Sequence, residues 1–99
     1  MDIAELTRRM LDFVRSKGFY DEASPRPQTS RNLAISLVLE ANEVLEHFQW
    51  AEDLKDKQAF ASELADVALY LMQLASLNDI DLETAILEKL ALNRERQWS

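Results

Sequence analysis

The chain has 99 residues, 47% of them apolar and 29% charged, with one Gly, two Pro and no Cys. That length suits one domain, 1–99, with a real but shallow core, and the lack of Cys excludes disulfides and thiolate metal sites, so a reducing cytoplasm is expected. The net charge of −7 is uneven, with six Lys/Arg and five Asp/Glu in residues 1–31 but five and thirteen in residues 32–99, which argues against duplex nucleic acid as a partner and suits a cation site.

Leu, Ala and Glu are plentiful and β-branched runs are few, so the elements are expected to be helices. The first covers roughly 2–17. Asp2 can cap it, with Glu5 three residues on completing a capping box. Ile3, Leu6, Met10, Phe13 and Val14 form its apolar stripe, Arg8, Arg9, Asp12 and Arg15 face out, and Gly18 is a natural stop. The start, MDIAELTRRM, lacks the apolar core of a signal peptide, and no apolar run is expected to span a bilayer. Both prolines fall in FYDEASPRPQTS, positions 19–30, a long loop.

Thr29 or Ser30 caps a second helix running to about Trp50, with Leu33, Leu37, Val38, Leu45 and Phe48 among its apolar positions. AEDLKDK, positions 51–57, is a charged connector. A third helix from about 57 to 77 presents Phe60, Leu64, Val67, Ala68, Leu71 and Leu74 as a core face. SLNDID turns the chain, and Asp81 caps a fourth helix over about 82–96, with Leu82, Ala85, Ile86 and Leu90 inward. No strand pattern competes, so the fold class is all-α, a four-helix bundle.

Glu40 and Glu43 lie at i, i+3 on the second helix, and Glu63 and Asp66 do so on the third, so each pair shares a face. A short connector makes the two helices an antiparallel hairpin, which brings the pairs to comparable heights. Four converging carboxylates repel unless protons or a cation lie among them, and all-oxygen ligands suit Mg²⁺ or Mn²⁺. Acidic pairs are also common on solvated faces; these, however, border the apolar stripe, flanked by Leu39, Ala41, Val44 and Leu45 and by Leu64, Ala65, Val67 and Ala68. A carboxylate-bridged di-iron site is not expected, because no Glu-x-x-His occurs. His47, the only histidine, reads as a polar rim residue rather than a ligand.

Together with their surroundings, these acids resemble the signature of the MazG-like, all-α nucleoside triphosphate pyrophosphohydrolases. SRNLAISLVLEANEVLEHFQW (30–50) looks like that family's second helix, ELADVALYLMQLA (63–75) its third, and KLALNRERQ (89–97) its closing Lys-x-x-x-Asn-x-x-Arg segment. The resemblance is to the small single-domain, dCTP pyrophosphatase-like members. The resemblance implies hydrolysis of a nucleoside triphosphate between its α and β phosphorus atoms, clearing unwanted or modified nucleotides. Glu40, Glu43, Glu63 and Asp66 would hold Mg²⁺, and one of them, Glu43 being a candidate, would orient or deprotonate the attacking water. Lys89 and Asn93, at i, i+4, would meet phosphate or sugar, Tyr70 lies on the acid face, and Trp50 would stack on the base. Without the family, Trp50 reads as a plug under the connector, Tyr70 as a core residue with its hydroxyl at the rim, and Lys89 and Asn93 as a solvated face.

His47 and Asn42 depart from the small or apolar residues relatives more often carry. The 19–29 loop does not align with the base-enclosing stretch of relatives, and Arg26 and Arg31 are further candidates for the triphosphate on charge alone. The resemblance also implies a homodimer or dimer of dimers. Two alternatives remain: a non-catalytic helical partner protein on the same scaffold, and a phosphoribosyl-ATP pyrophosphohydrolase, which the Phe-Gln-Trp exit and the Lys89/Asn93 tail match less well.

Overall fold

The computed structural model describes residues 1–17 and 28–96. Among the described residues there are four helices and no strand: α1 (Ile3–Ser16), α2 (Ser30–Glu46), α3 (Lys57–Leu77) and α4 (Leu82–Glu95). The all-α expectation holds. The glycine stop at Gly18, most of the 19–30 loop and Arg26 lie outside the described residues.

Each helix begins where a short polar side chain can accept a backbone N–H that has no partner in the first turn. Asp2 accepts from Glu5 N at 2.9 Å, Thr29 Oγ1 from Asn32 N at 3.1 Å, Asp56 from Ala59 N at 3.0 Å and Asp81 from Thr84 N at 3.2 Å. Only half of the expected capping box forms at α1, because Glu5 pairs instead with Arg8 and Arg9.

α2 stops four residues short of Trp50. Its last turn tightens into i→i+3 bonds, from His47 N to Val44 O, Phe48 N to Leu45 O and Gln49 N to Glu46 O, a common way to satisfy terminal carbonyls. Trp50 therefore stands beyond the helix. α3 is capped by Asn78, whose amide donates to Leu74 O and to Ser30 Oγ. Asp79 follows at φ 54, and Ile80 N reaches back to Ala75 O at 2.8 Å. This is a helix stop of the kind usually given to glycine.

α2 and α3 form the main packed pair, α1 lies against α3, and α4 packs mainly on α1. Three contacts fix the antiparallel register of the α2–α3 hairpin: Gln28 with Gln73, Glu40 and Glu43 with Glu63, and His47 with Phe60. The buried cluster joins Met10 and Val14 of α1 to Met72 of α3, with Leu11 and Leu82 packed against it. Leu33 is 1% exposed.

The apolar faces differ from expectation. Leu6 and Phe13 on α1, and Leu64, Ala68 and Leu71 on α3, are exposed, whereas Met72, Gln73 and Ala75 are buried. On α4 only Leu82 is sheltered among the four residues expected inward; Ala85, Ile86 and Leu90 are exposed. α3 is apolar around much of its circumference, so spacing alone does not choose the side that packs within the chain. It is also long and apolar enough to cross a membrane by length and composition, contrary to the sequence expectation. Its Glu63 and Asp66 face the α2–α3 groove, as in a bundle helix built around polar groups.

Candidate functional site

The acidic residues meet where α2 and α3 run side by side. Spacing of three places Glu40 and Glu43 on one face of α2, and the hairpin register carries Glu63 of α3 to them. One carboxylate oxygen from each of the three lies within 4.8 Å of the others. Asp66 is half-buried one turn further along α3 and acts electrostatically on both Glu40 and Glu63, but stands outside that close trio.

The cost of this convergence falls on the protonation equilibria. A hydrogen bond to Glu43 is the main reason the Glu63 carboxyl is raised to about 7; desolvation and the charges of Glu43, Glu40 and Asp66 add to it. Glu40 is raised chiefly by desolvation, then by the charge of Glu43 and a hydrogen bond with it, and by Asp66; its hydrogen bond with Glu63 opposes the rise. No cation is among the groups acting on either residue. Glu40 Oε2 and Glu63 Oε2 are buried and find no hydrogen-bond partner. Buried carboxylate oxygens in that position are expensive to keep charged without a cation. The donor set is hard oxygen throughout, which fits a divalent ion of the Mg²⁺ or Mn²⁺ kind.

The remaining predicted residues fall in three places. Tyr70 is half-buried on α3, one turn beyond Asp66 on the same face. Trp50 is 87% exposed, so it is not a plug under the connector. Lys89 is exposed and Asn93 half-buried, both on α4. α4 packs mainly on α1, and the Oδ1 of Asn93 is enclosed within the chain. Arg31 is exposed at the start of α2, and Asn42 donates to Glu46 at 3.3 Å.

Two features beside the acids escaped the sequence reading. Gln73, buried, donates its amide to Gln28 at 2.8 Å. His47 is half-buried, with its ring 5.4 Å from that of Phe60 at 71°; Phe48 meets the same ring at 5.5 Å and 84°. A signal for the second was present. His47 follows Glu43 by four residues and Phe60 precedes Glu63 by three, so both belong to the acid-bearing faces.

A sequence model of the MazG-like family matches residues 35–98. The dCTP pyrophosphatase 1 of Rattus norvegicus is 39% identical over 75 residues, covering 67% of this chain and 44% of that protein. The Homo sapiens protein of the same name gives the same identity and coverage. A dATP/dGTP diphosphohydrolase of Salmonella phage PMBT28 is 47% identical over 38 residues, 38% of this chain and 13% of that protein. The chain thus spans less than half the length of these curated relatives.

Proposed function

The chain belongs to the MazG-like family, and from that membership we propose that it is a Mg²⁺-dependent nucleotide pyrophosphohydrolase, converting a (d)NTP and water to a (d)NMP and pyrophosphate. The observation that carries this reading is the trio Glu40, Glu43 and Glu63, with its two buried, unpartnered carboxylate oxygens. The names of the relatives, dCTP pyrophosphatase 1 and dATP/dGTP diphosphohydrolase, support the same reaction class.

In this reading Glu40, Glu43, Glu63 and Asp66 hold the metal, with Mn²⁺ as a substitute. The ion, when bound, neutralises triphosphate charge and lowers the pKa of a water. The carboxylates supply the rest. They fix the ion beside the groove, and one of them accepts a proton from the attacking water as its oxygen bonds to phosphorus and pyrophosphate leaves. Glu43, hydrogen-bonded with Glu40 and Glu63 and the exposed member of the trio, is our candidate for that base. Tyr70 borders the groove on the acid face, Trp50 offers an exposed indole to the base, and Lys89 and Asn93 meet phosphate or sugar. The natural role is removal of non-canonical or excess nucleotides in the cytoplasm, by residues 1–99 acting as one domain, with no duplex nucleic acid or membrane as partner.

Exposed Lys89 reaches an acid cluster most simply if a second copy presents α4 to it. We therefore read the working form as a homodimer or homotetramer. Support comes from the exposed apolar residues of α2 and α4, such as Val38 at 67% and Leu87 at 61%. The accessible surface of 8007 Å² also exceeds the roughly 5,800 Å² that a compact monomer of this mass presents.

The test is pyrophosphate release across a panel of ordinary and modified NTPs and dNTPs with Mg²⁺. Glu40→Ala and Asp66→Ala are each expected to abolish release while leaving the helical circular dichroism unchanged. Activity surviving both substitutions would remove the metal assignment.

A further inference from the structure

We infer that His47 is a specificity-determining residue, forming with Phe60 and Phe48 an aromatic wall on which the nucleobase sits and from which the imidazole reads the base edge. This rests on the proposed nucleotide site and adds the part that selects among nucleotides.

The argument begins with position. His47 lies one helical turn beyond Glu43 on α2, and Phe60 one turn before Glu63 on α3, so both border the carboxylate trio on the side of the α2–α3 connection. Their rings touch across the groove at 5.4 Å. Phe48 meets the same Phe60 ring at 5.5 Å. Trp50, exposed, stands three residues past His47. From Glu43 to His47, the cap of α2, the helix rises about 6 Å, so the imidazole stands beside the carboxylates within the span of one nucleotide.

The chemistry of the wall suits a base better than a phosphate. Phe48 and Phe60 offer π faces and no hydrogen-bond donor, and stacking on such rings accepts any base. Phe48 is partly open to solvent. His47 alone among these three carries ring nitrogens, which can donate to or accept from a base edge. An all-phenylalanine wall would hold every base about equally; one imidazole in it introduces a preference. Edge-to-face contact with Phe60 holds the imidazole in place, as a group that must discriminate requires.

The experiment measures kcat/KM for pyrophosphate release from the four ordinary dNTPs, in the wild-type chain, in His47→Phe and in His47→Gln. Circular dichroism and Tm establish that each variant is folded. His47→Phe keeps the ring and removes its nitrogens; the ratio of kcat/KM between the best and the other dNTPs is expected to change by about threefold to tenfold, the worth of one neutral hydrogen bond. His47→Gln keeps hydrogen bonding without the ring, and KM is expected to rise for all four. Folded variants that leave the ratios within twofold of wild type, or that slow all four dNTPs equally through kcat, would overturn the role of His47 while leaving the site itself standing. A wild-type chain that releases no pyrophosphate from any nucleotide would overturn the underlying reading and this inference with it.

Discussion

The Glu63 carboxyl, raised to about 7 mainly by its hydrogen bond to Glu43, makes folding and the metal binding we propose respond to pH in opposite directions. The folded chain holds this proton more tightly than the unfolded chain, whose carboxyl titrates near the ordinary 4.5. Without a divalent ion, stability is therefore highest below about 4.5 as far as this group is concerned, and falls as pH climbs through about 7. Glu40, raised in the same direction, adds to the trend. A metal ion needs the charged forms, so its stabilising effect grows over the same range. Thermal melts in chelator from pH 5 to 8 are expected to show Tm falling, and the increment from Mg²⁺ rising with pH. Glu63→Gln, which removes one charge at nearly constant shape, is expected to raise the chelator Tm at pH 8. It should also abolish the Mg²⁺ increment, which for an ion at 100 times its Kd amounts to about 2.7 kcal/mol. A Tm that climbs with pH in chelator would contradict the electrostatics of the trio.

The helix ends show which elements were legible and which were not. Asp2, Thr29, Asp56 and Asp81 are side chains of the type that begin helices, and each accepts the N–H three residues on. The extents of α1, α3 and α4 could accordingly be read within a residue or two. The end of α2 could not, because EHFQW carries no stop residue and the tightening after Glu46 is decided by tertiary contacts, among them His47 and Phe48 against Phe60. The i, i+3 spacing of the acids and the hairpin were enough to foresee Glu40, Glu43 and Glu63 together; Asp66 came close and outside the trio. At the far end of α3 the turn rests on Asp79 at φ 54, a left-handed position where a Cβ is unfavourable. Asp79→Gly is expected to raise stability by up to about 1 kcal/mol, the strain relieved exceeding the added freedom of the unfolded chain. Urea denaturation measures it, and a loss of stability would show that the aspartate side chain contributes more than its backbone costs.

Among the described residues, the four helices leave many more large apolar side chains exposed than buried. The sequence placed Leu64, Leu71, Ile86 and Leu90 on inward faces, and the residues do lie on common stripes; the single chain simply has nothing to set against them. A radius of gyration of 16.0 Å, against about 13 Å for a compact chain of this length, expresses the same openness. Hydrophobic periodicity reports that a face is to be buried, not whether its cover comes from the same chain. If a second copy is the cover, sedimentation of the wild-type chain at micromolar concentration gives a dimer or a dimer of dimers. Leu87→Glu then separates the two possibilities for α4. On a face that stays in water, such a change shifts stability by no more than about 0.5 kcal/mol. On a face buried between copies it places a charge without a partner in an apolar contact, so the assembly dissociates and Tm becomes dependent on protein concentration. Because the assembly is what brings Lys89 to the acids of a second copy in the proposed reading, dissociation is also expected to lower pyrophosphate release, although Glu40, Glu43, Glu63 and Asp66 are untouched. A Leu87→Glu chain that sediments and hydrolyses like the wild type would place the partner surface elsewhere and return Lys89 to solvent.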